Sequence, residues 1–110
     1  MKIAVSVVAP EANAAFESRF GRAAAFLIID THSGERQAIA NPAAQSGSGA
    51  GIRTAELLIR QGVEVIISSA FGPKASEVLR ASRVRLYQTD SSAVDDLVAK
   101  LLEGGMGEAE

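Results

Sequence analysis

Hydrophobic positions along the chain fall into short runs separated by polar, glycine-rich punctuation. Lys2 to Ala9 is nearly continuous, rich in β-branched residues and stopped by Pro10, which predicts a buried strand. Pro10 to Arg22 is polar and alanine-rich without clean periodicity and reads as a loop. Ala24 to Thr31 predicts a second strand, and His32-Ser33-Gly34-Glu35 turns the chain into a weaker third strand over Arg36–Ala40. A four-residue connection containing glycine between two such runs is a hairpin signal, so these strands are expected to be antiparallel neighbours.

The second half changes period. After the glycine- and serine-rich stretch Asn41 to Gly51, the residues Ile52, Ala55, Leu58 and Ile59 follow helical spacing, predicting a helix over about 52–61 with Gly62 as its C-cap. Val63–Ser68 predicts a fourth strand. Gly72-Pro73 opens a second helix, whose buried stripe is Ala75, Val78 and Leu79; Pro73 suits the first turn because its missing N–H has no helical partner there. If Gly72 needs a positive φ, a β-branched residue there should disturb the turn. Val84–Tyr87 predicts a short fifth strand. A last helix follows, with Ser92 and Asp95 in capping-box form and Val94, Leu97, Val98, Leu101 and Leu102 as its apolar face. The order β-β-β-α-β-α-β-α predicts an α/β fold: a single three-layer domain with a mixed five-stranded sheet. That domain is expected over residues 1–105, with 106–110 a flexible tail.

Composition narrows the chemistry. The 110 residues include no cysteine, which excludes disulfides, thiolate nucleophiles and cysteine-held clusters, and the net charge of −2 argues against nucleic-acid binding by charge alone. No run approaches the roughly 18 apolar residues of a membrane span, and the start reads as the first strand rather than a secretory signal, so a cytoplasmic protein is expected.

If strands one, three, four and five run parallel with strand two reversed, one sheet edge collects the loop after strand one and the starts of all three helices. Ligands of open α/β sheets bind at that edge, and helix starts favour anions. Arg19, Arg22, Asn41, Gln45, the Ser46–Gly51 loop, Ser68, Ser69 and Lys74 fall there. Two readings stand side by side: an anion-binding rim, or arginines that are solvated or paired with Glu11 or Glu17. The glycine loop matches neither a Walker phosphate loop nor the dinucleotide fingerprint, since Ile52 stands where the latter needs glycine or alanine. His32 falls in the hairpin turn at the far edge. No pair of carboxylates and no serine–histidine arrangement indicates an enzyme.

Three elements together carry a resemblance: Arg19-Phe20-Gly21-Arg22-Ala23 before a Phe-containing strand; Asn41 with the Gly49-Ala50-Gly51 helix start; and Gly62-Val63-Glu64-Val65-Ile66-Ile67 with Phe71-Gly72-Pro73-Lys74-Ala75 and Leu79. They resemble the dinitrogenase iron–molybdenum cofactor biosynthesis family (the NifX and NifB C-terminal type) over nearly the whole chain. The resemblance implies a ribonuclease H-like topology and a non-catalytic accessory protein that carries an iron–molybdenum or related iron–sulfur cofactor or precursor during metallocofactor assembly. It places Arg19, Phe20, Gly21, Arg22, Asn41 and the glycine loop on the binding face. Many relatives carry histidine or cysteine after the asparagine, where this chain has Gln45 and Ser46. Binding without covalent ligation is therefore what it implies here, with guanidinium groups and helix starts holding an anionic cargo.

The alternatives on the same rim are a small anion- or nucleotide-binding regulatory module and a protein-interaction domain. The expected partners are a metal–sulfur or other anionic small molecule and cofactor-assembly proteins, with the chain a monomer or homodimer. An unprotected edge at the third or fifth strand would serve the latter.

Overall fold

The computed structural model describes residues 1–45, 47, 49–89 and 93–104. Its strands are β1 (Lys2–Val7), β2 (Ala25–Asp30), β3 (Arg36–Ala40), β4 (Val65–Ser68) and β5 (Arg85–Gln88). Its helices are α1 (Ala50–Arg60), α2 (Pro73–Ala81) and α3 (Val94–Leu102), and a short 3₁₀ turn covers Pro42–Gln45. The sheet order is β3-β2-β1-β4-β5. β2 is antiparallel to β1 and β3, while β4 is parallel to β1 and β5. The mixed five-stranded sheet and its strand senses are those the sequence predicts.

Alternation along each strand divides the core into two layers. Ala4, Phe26, Ile28, Ile66 and Leu86 point to the face covered by α1 and α2, where Leu58 and Leu79 meet them. Ile3, Val5, Leu27, Ile29, Val65 and Ile67 point to the opposite face, closed by Leu97 of α3 with Val94, Val98 and Leu101 packed around it. The period of two in the strands and the helical stripes thus produce the three-layer arrangement.

Several boundaries differ from the sequence reading for identifiable reasons. β1 ends at Val7 because the Val8 N–H turns to Ala15 O (2.9 Å), leaving Val8 50% exposed. β4 starts at Val65 because Val63 still donates to Leu58 O, closing α1. α1 begins two residues early, at Ala50, and the preceding stretch contains the 3₁₀ turn. The capping-box residue Ser92 and the tail 106–110 lie outside the described residues. Among the described residues no helix is long and apolar enough to cross a membrane.

Gly72 corrects an expectation. Its φ is −68° and ψ 153°, open to any L-residue, and a Cβ there would meet nothing within 4 Å. Gly49 is the opposite case, with φ +84° at the N-cap of α1. Gly72→Val is accordingly expected to melt within a few degrees of the parent, whereas Gly49→Val should be destabilised by about 1–2 kcal/mol. Thermal unfolding of the two variants checks this.

Candidate functional site

The carboxyl ends of β1, β3, β4 and β5 and the starts of β2 and the helices share one edge, over which residues 8–24 form a cover. Two buried serines pin that cover to the sheet. Ser6 Oγ donates to Glu17 O (2.5 Å) and sits 2.8 Å from Ser68 Oγ, which donates to Ser18 O (3.2 Å). The N–H groups of Ser69 and Ala70 also bond Ser18 O, and Phe20 N–H bonds Ala70 O (3.0 Å). Ser68 is therefore an anchor. Phe20 drives into the core beneath, without exposed surface, its ring 5.5 Å from that of Phe26 and 5.2 Å from that of Phe71.

Past Phe20 the cover meets the helix starts through residues that lack side chains. A Cβ on Gly21 would lie 3.0 Å from Gly51 Cα, and one on Gly51 would lie 3.3 Å from Ala75 Cβ. Glycine at 21 and 51 lets the turn, α1 and α2 approach this closely. Buried Asn41 locks the same corner. Its Nδ2 donates to Ala23 O (2.9 Å) and lies 3.1 Å from Thr54 Oγ1, its Oδ1 accepts Ala43 N–H (3.2 Å), and Thr54 Oγ1 donates to Ala50 O (2.8 Å). Arg22 straps the segment before α1, donating to Ala44 O and Gly47 O at 3.2 Å each.

Between the first turns of α1 and α2 lies a cleft of about 290 Å³, with Gly49, Gly51 and Ile52 on one wall and Gly72, Lys74 and Ala75 on the other. First-turn N–H groups of a helix lack a helical acceptor, and the two macrodipoles present their positive ends here together. Lys74 adds a full positive charge. Larger depressions lie beside Arg53 and Leu57 of α1 and beside the start of α3, but the first sets the Glu56 carboxylate beside its arginines and the second carries Asp95, which already complements that helix. The α1–α2 cleft is the place suited to an anion.

The residues expected at the rim thus separate by placement. Gly49, Gly51 and Lys74 line the cleft, and Gly21 backs it. Phe20 and Asn41 lie behind it, buried, where they hold the cover and the start of α1. Arg22 is at the rim but bonded to backbone carbonyls, and Gln45 is exposed at the end of the 3₁₀ turn. Ser46 lies outside the described residues. The sequence reading missed Ile52, Gly72, Pro73 and Ala75 as cleft walls; the clue was Gly-Pro at one helix start mirroring Gly-x-Gly at the other.

Arg19 takes the paired alternative: its guanidinium forms an ion pair with Glu17 at 3.2 Å, and its backbone N–H bonds the same carboxylate (3.0 Å). The Arg19 side-chain hydrogen bond holds the Glu17 carboxyl below its usual value; partial burial opposes this, and the Arg19 backbone N–H and charge add to it. A carboxylate whose pKa falls on folding contributes stability above its unfolded value and loses it as pH drops through the folded value. Thermal melts of the parent and Glu17→Gln, separated near pH 7, are expected to converge toward about pH 3.

The donor set also limits what the cleft suits. The chain has no cysteine, His32 is exposed in the β2–β3 turn at the opposite edge, and no group of three or more His, Cys, Asp or Glu gathers among the described residues. Backbone N–H groups and an ammonium suit an anion, and not a bare metal ion.

Known proteins agree with this architecture. Among solved structures, the apo form of the orange protein from Desulfovibrio gigas superposes with a TM-score of 0.91 at 33% identity, covering 98% of this chain and 92% of that one. A Thermotoga protein described as a candidate NifB superposes with a TM-score of 0.84 at 30% identity, covering 97% and 91%. An uncharacterized protein of Methanocaldococcus jannaschii is 31% identical over 100% of this chain and 92% of its own length. The family model "Dinitrogenase iron-molybdenum cofactor" matches residues 1–104, and the chain belongs to that family.

Proposed function

We propose that this protein is a non-catalytic carrier that holds an anionic metal–sulfur cofactor, the iron–molybdenum cofactor or a cluster precursor of it, in the α1–α2 cleft during metallocofactor assembly. Family membership supports a cofactor-associated accessory role. The observation that carries the finer reading is the convergence of two helix starts and Lys74 on one cleft whose walls include three glycines. N–H groups there would donate to the sulfides or the carboxylate oxygens of a cluster, and Lys74 would offset its charge. Arg22, Asn41 and Phe20 would act by holding the walls in place. Cargo held this way exchanges readily with an assembly partner, because no metal–protein bond has to break.

The test is to mix the purified chain anaerobically with isolated iron–molybdenum cofactor, separate by gel filtration, and assay iron and molybdenum in the protein peak. Both metals should co-elute with the protein. A metal-free peak, together with thermal stabilisation by nucleotides in metal-free buffer, would favour the ordinary-anion module instead.

A further inference from the structure

We propose that the outer edge of β3 is a homodimer interface, on which a second copy of this chain pairs its own β3 antiparallel about a two-fold axis at Ala38. The backbone register leads to this. Asn41 N–H bonds Ala24 O and Asp30 N–H bonds Glu35 O, so residues 35, 37, 39 and 41 direct their backbone groups toward β2. Arg36, Ala38 and Ala40 then direct theirs away from the sheet, unpaired within it. In the self-pairing, Ala38 meets Ala38 and Arg36 meets Ala40 in both directions, so every outward N–H and C=O finds a partner.

Among the described residues, β3 itself carries little to guard this edge. Edge strands are ordinarily blunted by proline, lysine, a bulge or a covering segment. β3 has neither proline nor lysine, pairs with β2 over all five residues without a bulge, and its one charge, Arg36, is ion-paired to Asp95 of its own α3. The register opposes no like charges, since the residue facing Arg36 is a small, exposed alanine.

A groove of about 340 Å³ runs between α1 and residues 41–43, immediately after β3, with Leu57 as its apolar part and Arg53 and Arg60 beside it. On the α1 side of the sheet, the self-pairing sets Ile39 of the second copy opposite Gln37. Ile39 and Leu57 are both only half-buried in one copy, and the added strand gives them apolar cover. An isologous pairing of this kind closes on itself and leaves the two clefts at opposite ends of the joined sheet.

Sedimentation equilibrium of the full chain over a wide concentration range tests the pairing, with Ala40→Lys and Ala40→Glu as paired variants. The Ala40 side chain belongs to neither core layer, so both should keep the parental circular dichroism and melting temperature. Ala40→Lys faces Arg36 twice and should weaken the dimer about two- to thirtyfold, and Ala40→Glu should tighten it. Amide exchange at Ala38 and Ala40 in the unmodified chain should slow with rising concentration, which needs no variant. A chain that stays monomeric to about 1 mM, a dimer indifferent to both substitutions, or exchange independent of concentration would each overturn the proposal.

Discussion

Phe20→Ala should cost about 3–5 kcal/mol of unfolding free energy, the usual penalty for emptying a fully buried aromatic site. For a domain of this length that corresponds to a fall of roughly 15–30 °C in melting temperature. The size of the effect follows from position. Phe20 has no exposed surface and contacts the rings of both Phe26, in the central sheet, and Phe71, at the approach to α2. It is the apolar peg that fastens a polar cover to the core. Phe20→Leu, which retains most of the volume, should restore much of the loss. Calorimetry of the three proteins checks the order, and a parental melt for Phe20→Ala would mean that the cover is not held from beneath.

Lys74→Glu should weaken cargo binding about ten- to hundredfold while leaving the melt unchanged. Reversing the charge removes a charge-assisted contact and adds a repulsion at the cleft. Lys74 is exposed in the first turn of α2, so the fold does not depend on it. Arg22→Glu should also weaken binding, by a different route. Its guanidinium bonds Ala44 O and Gly47 O, so the loss is of the strap that orders the segment entering α1. Screening should reduce binding by the parent, whereas Lys74→Glu should show a shallower salt dependence because its direct charge contact is gone. Titrations of cofactor at low and high salt give the comparison.

Element order and strand sense were legible because they rest on long-lived signals: continuous β-branched runs for β1 and β4, a glycine turn between β2 and β3, and helical stripes such as Ile52, Ala55, Leu58 and Ile59. The 3₁₀ turn over Pro42–Gln45 was not, since a short alanine-containing segment between proline and glycine has no periodicity to read. The site was legible only as an edge. Which cation faces the cleft is decided by pairings that spacing does not reveal: Arg19 turns to a carboxylate two residues away, and Arg22 to carbonyls more than 20 residues on. Phe20 sits in a polar stretch, and only tertiary packing shows that its ring is core. Gly72 carries a similar lesson, because glycine before a helix proline suggests a special backbone angle that the chain does not use there.

The most direct measurement of where cargo sits is an anaerobic titration of the ¹⁵N-labelled chain with isolated iron–molybdenum cofactor, followed by amide resonances. The N–H signals of Gly51, Ile52, Lys74 and Ala75 should shift or broaden first and together, while those of the His32–Glu35 turn at the opposite edge stay in place. Perturbation centred on that turn, or on β3 and α3 with the cleft unaffected, would contradict a carrier that holds its cargo between the starts of α1 and α2.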